Sequence, residues 1–319
     1  MDHMRICSLL PSATEIVCTL GLFEDLVGVT HECDFPPEVA ALPAVTSSVM
    51  ETGDMASRDI DQAIREALRN LSTIYRLDRP LLERLKPDLI LTQELCEVCA
   101  VSFDRVQQAA ADLLPETEVL SLEPQALDGI LDTINEVGGR CGAEEAAQRV
   151  VGEFQARIDP VSRRFEQSGL RRPRVAMIEW LDPVFLGGHW VPDMVAAAGG
   201  EDVLGEPGAR SRQVEWPEVA QTEPEVIVLM PCGMSLDRTV DEFRRTILPE
   251  LWDDMPAVHS GQVYAVDGSS YFNRPGPRVI DGIEILGRIL HPSLFGPPHP
   301  SEAQRLALGP ASVARRNRR

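Results

Sequence analysis

The sequence predicts an α/β protein of two Rossmann-like lobes with mainly parallel sheets, joined by a long bridging helix, with a ligand cleft between the lobes. Three observations predict it. The chain has 319 residues, roughly twice the usual length of one domain. Strand-like apolar runs recur, each passing through a polar or proline-bearing loop into a helical pattern, which is the mark of βαβ units. Between two such series lies a stretch with helical periodicity and little strand character. With 44% hydrophobic residues, the chain can bury a full core in each half.

In chain order, Ile6 to Leu10 reads as the first strand, broken by Pro11. Ser12 then offers an N-cap, with Glu15 three residues on to complete a capping box. Leu26 to Thr30 is the second strand and ends in His31-Glu32-Cys33-Asp34-Phe35-Pro36-Pro37. A helix is expected from about Asp59 to Asn70. Asp88 to Thr92 is a strand leading into Gln93-Glu94-Leu95-Cys96-Glu97-Val98-Cys99, and Glu118 to Leu122 completes an N-terminal lobe spanning 5–123.

Residues 124–168 read as the bridging helix, interrupted near Gly138, Gly139 and Gly142, and on the order of 60 Å long if continuous. The C-terminal lobe, 169–292, repeats the pattern: strands at Arg174 to Trp180, Glu225 to Met230 and Gln262 to Val266, a helix from about Pro192 to Ala198, and a last helix from about Pro277 to Leu290. Proline and glycine dominate beyond Ser293, so 293–319 is expected as a loosely held tail.

Composition excludes several functions. Net charge is −20 with a single lysine, Lys86, and such an acidic surface repels phosphate backbones, so no nucleic-acid partner is expected. No run reaches the roughly 18 to 20 apolar residues of a membrane span, and none has the order of a signal peptide. The protein is therefore not expected to be an integral membrane protein. Seven cysteines, an odd number in a long chain, suit a reducing compartment. A cytoplasmic location follows, or a periplasmic or extracellular one if a leader was removed ahead of Met4.

In open parallel sheets, ligands bind outside the carboxyl ends of the strands. The chemically unusual side chains fall there in both halves. Cys96 and Cys99 have the spacing of a metal or redox pair, and with His31 and Cys33 they form a candidate tetrahedral site for zinc or iron. The same cysteines also read as inert packing residues. His189, between Gly188 and Trp190, could project an imidazole into a cleft or simply cap the following helix. Trp180, Trp190, Tyr271 and Phe272 offer flat surfaces for a planar ligand, or ordinary packing between lobes. Arg274 is the preferred cation for a ligand oxygen, and Glu32, Asp34, Glu94 and Glu97 make the first lobe's loops acidic. No dinucleotide fingerprint, phosphate-binding loop or nucleophile elbow is present.

Ser8-Leu9-Leu10-Pro11-Ser12-Ala13-Thr14-Glu15, followed by Gly28-Val29-Thr30 and Asp34-Phe35-Pro36-Pro37, resembles the opening of the helical-backbone (class III) ABC-importer solute-binding proteins. Arg174 to Leu204, with Ala198-Gly199-Gly200-Glu201-Asp202-Val203, resembles the start of their second lobe. Tyr271-Phe272-Asn273-Arg274-Pro275-Gly276-Pro277-Arg278 is similar to their late cleft loop. The likeness covers the chain to about Pro292 and is greatest to the cobalamin-binding branch, here without a signal peptide. It implies a small-molecule ligand held between the lobes with limited hinge motion, cobalamin or another metal-bearing molecule as that ligand, and an ABC permease as partner if the protein is exported. The candidate ligand contacts are Pro11, Ser12, Thr14, His31, Glu32, Asp34, Glu97, Trp180, His189, Trp190, Tyr271, Phe272, Asn273 and Arg274. The competing expectation is a cytoplasmic enzyme using metal or thiol chemistry on a corrinoid or other metal complex in the same cleft.

Overall fold

The computed structural model describes residues 4–71, 73–94 and 103–306. The first lobe is built from β1 (Ile6–Ser8), α1 (Pro11–Thr19), β2 (Leu26–Val29), β3 (Thr46–Ser48), α2 (Ser57–Leu71), β4 (Tyr75–Leu77), α3 (Arg79–Leu85), β5 (Leu89–Thr92), α4 (Phe103–Leu113) and β6 (Glu118–Ser121). Its four-stranded sheet runs β2-β1-β5-β6 and is parallel throughout. Alternation sends Ile6, Leu89, Leu91 and Leu120 to one face and Cys7 and Ile90 to the other. With both faces covered, β1 and β5 carry no exposed residue, as buried parallel strands require.

Two helices follow, α5 (Leu127–Arg140) and α6 (Glu144–Ser168). The expected break is present, with Gly142 at φ +65° between them. The two helices on either side of that break pack on each other. Their close approach uses Gly138, where a Cβ would stand 2.5 Å from that of Ala147. α6 alone, with 25 residues, is about 37 Å long.

The second lobe comprises β7 (Arg174–Leu181), β8 (Val184–Leu186), α7 (Val191–Ala197), β9 (Glu201–Asp202), β10 (Gln213–Val214), α8 (Trp216–Gln221), β11 (Val226–Leu229), α9 (Leu236–Arg245), α10 (Pro256–His259), β12 (Val263–Val266), α11 (Gly268–Tyr271), α12 (Val279–Leu290), α13 (Pro292–Phe295) and β13 (Ala303–Arg305). The sheet order is β10-β8-β7-β11-β12-β13, with β9 beside the start of β7. Its centre, β7-β11-β12, is parallel; β8, β10 and β13 are antiparallel additions. One face, through Val175, Met177, Val226 and Val228, packs on α6, α7 and α12. The opposite face, through Ala176, Ile178, Ile227 and Leu229, packs on α8, α9 and α10.

Two expectations are corrected here. The tail expected over 293–319 begins as structure: α13 follows the last helix, and β13 covers the edge of β12, pairing Tyr264 with Arg305. Its driving force is an edge strand that would otherwise present unpaired amides to water. The capping box at Ser12 is absent. Leu10 occupies the cap position without a side-chain bond, Pro11 opens the helix, and Ser12 lies buried in the first turn. Proline at the first position lacks only an amide that would have had no helical partner.

Candidate functional site

The carboxyl ends of both sheets turn toward each other, and side chains from the two lobes meet across that space. The first meeting point joins α1 and the loop after β2 to the loop between α11 and α12. Arg278 donates from Nε to Glu15 Oε2 at 2.9 Å, and Arg274 reaches Asp34 Oδ2 at 3.1 Å and the Glu32 carbonyl at 3.2 Å. The Arg278 guanidinium also lies 4.3 Å above the Phe35 ring. Glu15 is only 2% exposed. Burial pushes its carboxyl up, against the pull of Arg278 and Arg274. Gly276 sits where a Cβ would lie 3.3 Å from Ser12 Cα, so a glycine is what lets the two lobes' backbones approach here.

His31 and Glu32 lean the other way, toward the β3–β4 pair. His31 Nδ1 lies 2.8 Å from Thr46 Oγ1, and Tyr75 donates its hydroxyl to Glu32 Oε1 at 2.8 Å. Cys33 is buried, its sulfur 3.0 Å from Thr14 Oγ1. Thr14 in turn donates to Ser8 Oγ at 2.8 Å. Burial raises the Cys33 thiol to about 11, so it is protonated at neutral pH. Among the described residues no three His, Cys, Asp or Glu side chains assemble as a metal cage. Cys96, Cys99 and Glu97, the remainder of the expected metal and acidic sets, lie outside the described residues.

On the second lobe, Trp180 lies one residue before the end of β7, partly exposed, with its Nε1 donating to the Ser57 carbonyl of the first lobe at 3.2 Å. Tyr271 is likewise partly exposed. Trp190 and Phe272, expected as ligand surfaces, are core residues instead: Trp190 is 5% exposed, Phe272 is fully buried, and Trp190 Nε1 donates to the Phe272 carbonyl at 2.7 Å. A buried indole takes a backbone acceptor wherever one is in reach. Asn273 is occupied in the same way, donating to the Met230 carbonyl at 2.9 Å.

His189 stands in the left-handed region at φ +53°, stacked on Trp190 with ring centroids 5.6 Å apart. Its Nδ1 is 3.3 Å from Gln125 Oε1, a residue of the loop leading into α5. Loss of water and the nearby Arg210 hold its pKa below the ordinary value, which keeps the ring neutral and fit to be a ligand. Beside this pair opens a cavity of about 390 Å³ lined by Ala126, Leu127, Asp128, Asp193, Pro207 and Gly208.

Sequence reasoning missed Glu179. It precedes Trp180 on β7 and accepts from Ser211 Oγ at 2.6 Å and from the Gly188 amide. Burial raises its carboxyl to about 7. Gly188 is required there because a Cβ would stand 2.3 Å from Ser211 N. The Glu15–Arg278 pair was also missed, since Glu15 has the spacing of a capping residue and its partner is 263 positions away.

The family model for periplasmic binding proteins matches residues 6–269. An uncharacterized ABC transporter substrate-binding lipoprotein, YvrC of Bacillus subtilis, is 25% identical over 303 residues, covering 92% of this chain and 82% of that protein. The vitamin B12-binding protein of Vibrio cholerae is 23% identical over 288 residues, covering 88% and 86%. Among solved structures, the periplasmic heme-binding protein RhuT of Roseiflexus sp. RS-1 superposes with a TM-score of 0.68 at 22% identity, covering 92% of this chain and all (100%) of that one. Among the described residues no helix is long and apolar enough to cross a membrane.

Proposed function

The chain belongs to the periplasmic binding protein family, and on that premise we propose that it captures cobalamin, or a closely related metal-bearing macrocycle, non-covalently between its two lobes. The observation that carries this reading is the convergence of loops from both sheets, where Arg274 reaches Asp34 and the partly exposed Trp180 reaches the Ser57 carbonyl, with the partly exposed Tyr271 on the same second-lobe loop as Arg274. Flat apolar rings at strand ends give a large planar ligand surface to stack on. Relatives whose names specify vitamin B12 or heme fit the same ligand class.

Charge favours cobalamin over heme. Arg274 and Arg278, cations of this interface, are already paired with Asp34 and Glu15. An anionic heme with free carboxylates would have to displace those partners, whereas a corrinoid rimmed with amides would not. His189 would offer its imidazole to the ligand's metal. Four of the described cysteines do not support the competing enzymatic reading: burial holds Cys7 at about 12 and Cys18, Cys33 and Cys141 at about 11, far from the thiolate that metal or nucleophilic chemistry uses.

An ABC permease is the partner that a transport role requires, and it would place the cleft outside the cytoplasm. The five described cysteines are free, which suits a reducing interior instead. Fractionation of the native host separates the two locations. For the ligand, Trp180→Ala and Tyr271→Ala in the full chain are each expected to weaken hydroxocobalamin binding about tenfold, equivalent to about 1.4 kcal/mol. Unchanged affinity in both would remove the stacking surface from the account.

A further inference from the structure

We propose that residues 49–71, the segment leaving β3 together with α2, form a strap of the first lobe that fastens onto the second and must unfasten before the cleft can open. What passes through the opened cleft rests on the capture reading above; the fastening does not.

The segment is rooted in its own lobe at both ends, by Val49 and Met50 and by Ile64, Ala67 and Leu68 of α2, and reaches beyond it between them. β3 and β4 pair with each other, antiparallel, and the chain entering β3 is bridged to the four-stranded sheet at Val29. The chain between them crosses to the second lobe and is held there at several points. The Ser57 amide, the first of α2, donates to Glu242 Oε1 of α9 at 2.8 Å, and both residues are 1% exposed. A carboxylate at that position satisfies an amide the helix cannot bond itself and complements its dipole. Arg238 of α9 donates to the carbonyls of Thr52 at 3.2 Å and Met55 at 2.8 Å, and Arg245 to that of Asp54 at 3.1 Å. Arg58 pairs with Asp182, past the end of β7, at 2.8 Å.

The position of these contacts gives them leverage. α5 and α6 pack on the face of the second sheet that carries α7 and α12, and α6 is tied down by Arg157, bonded to Asp281 at 2.7 Å and Glu284 at 3.0 Å. The strap holds α9, on the opposite face. In the first lobe, α1 and α5 share one core cluster, whereas β4 and the partly buried Ile64, Ala67 and Leu68 of α2 share another, on the far face. Bending about the connecting helices therefore moves the strap side most. The Glu15–Arg278 pair lies on the connector side, where the same motion displaces it least. Its base is linked to the cleft, since Tyr75 of β4 bonds Glu32, whose carbonyl accepts from Arg274.

The test uses the ligand-free full chain and its Arg58→Ala/Arg238→Ala/Arg245→Ala variant. Amide exchange across 50–57 is expected to rise at least about tenfold, with protection of β11 and β12 unchanged and a larger radius of gyration by small-angle X-ray scattering. Should the triple variant lose protection in β11 and β12, Glu242→Gln, which keeps the side-chain volume and an acceptor for Ser57, is expected to show the same change at about threefold. Unchanged exchange in 50–57, or faster exchange without any increase in radius of gyration, would overturn the proposal. Hydroxocobalamin should then associate faster with the unfastened variant. If the parent chain binds no hydroxocobalamin, the ligand assignment fails while exchange and scattering still decide the strap.

Discussion

At the scale of single residues, the site is governed by which groups give up water and what replaces it. Glu15 is withdrawn between the lobes and answered by two guanidiniums, so its removal would leave Asp34 as the remaining carboxylate beside both Arg274 and Arg278. Glu179 is answered only by neutral donors, Ser211 and the Gly188 amide, and its pKa rises from 4.5 to about 7. The native protein therefore holds a proton that the unfolded chain releases between those values. Stability is expected to fall as pH rises through that window, because the native state binds more protons there. Glu179→Gln should flatten this part of the profile relative to the parent in denaturant titrations at pH 5 and 7. An identical slope in the two proteins would mean that Glu179 is ionised throughout. Neither glutamate was legible as what it is. Glu15 has the local spacing of a capping residue, and only the fold reveals its distant partner; Glu179 sits in an apolar strand with nothing nearby in sequence to identify Ser211.

At the scale of elements, the sequence signal was strongest where burial is two-sided. The runs at β1, β5, β7, β11 and β12 are mainly apolar, and each falls within a residue or two of its expected limits. β3, β9, β10 and β13 were not legible, being two or three residues long and composed mostly of polar side chains, as in Thr46–Ser48 and Ala303–Arg305. Their existence is set by tertiary pairing, which local pattern does not record. The aromatic loop residues divide for a related reason. Trp180 and Trp190 both lie at strand or helix boundaries, and only packing decides that one stays at the surface and the other enters the core. In the connecting helices the two adjacent glycines have opposite roles. Gly138→Ala would press into Ala147 and is expected to cost about 1 to 3 kcal/mol. Gly139, with nothing within 4 Å of its added Cβ, should gain about 0.5 to 1 kcal/mol as alanine. Thermal melts of the two variants shifting in opposite directions would confirm the close helix crossing; shifts of the same sign would contradict it.

At the scale of the whole molecule, among the described residues the two lobes are joined by the connecting helices, by the Glu15–Arg278 and Asp34–Arg274 pairs, and by the strap. The first two lie toward one side and leave the other free to swing once the strap lets go. A binding protein with this arrangement should capture its ligand by a small closure, with specificity set by the rings of Trp180 and Tyr271 and by the pairing of Arg274 with Asp34 and of Arg278 with Glu15. The most direct measurement is a titration of the purified, reduced full chain with hydroxocobalamin, followed by the corrinoid absorption bands, with hemin titrated in parallel. Stoichiometric binding at about micromolar affinity or tighter is expected, with weaker binding of hemin and a band shift that is lost in His189→Ala. Absence of hydroxocobalamin binding, or tighter binding of hemin, would contradict the cobalamin assignment.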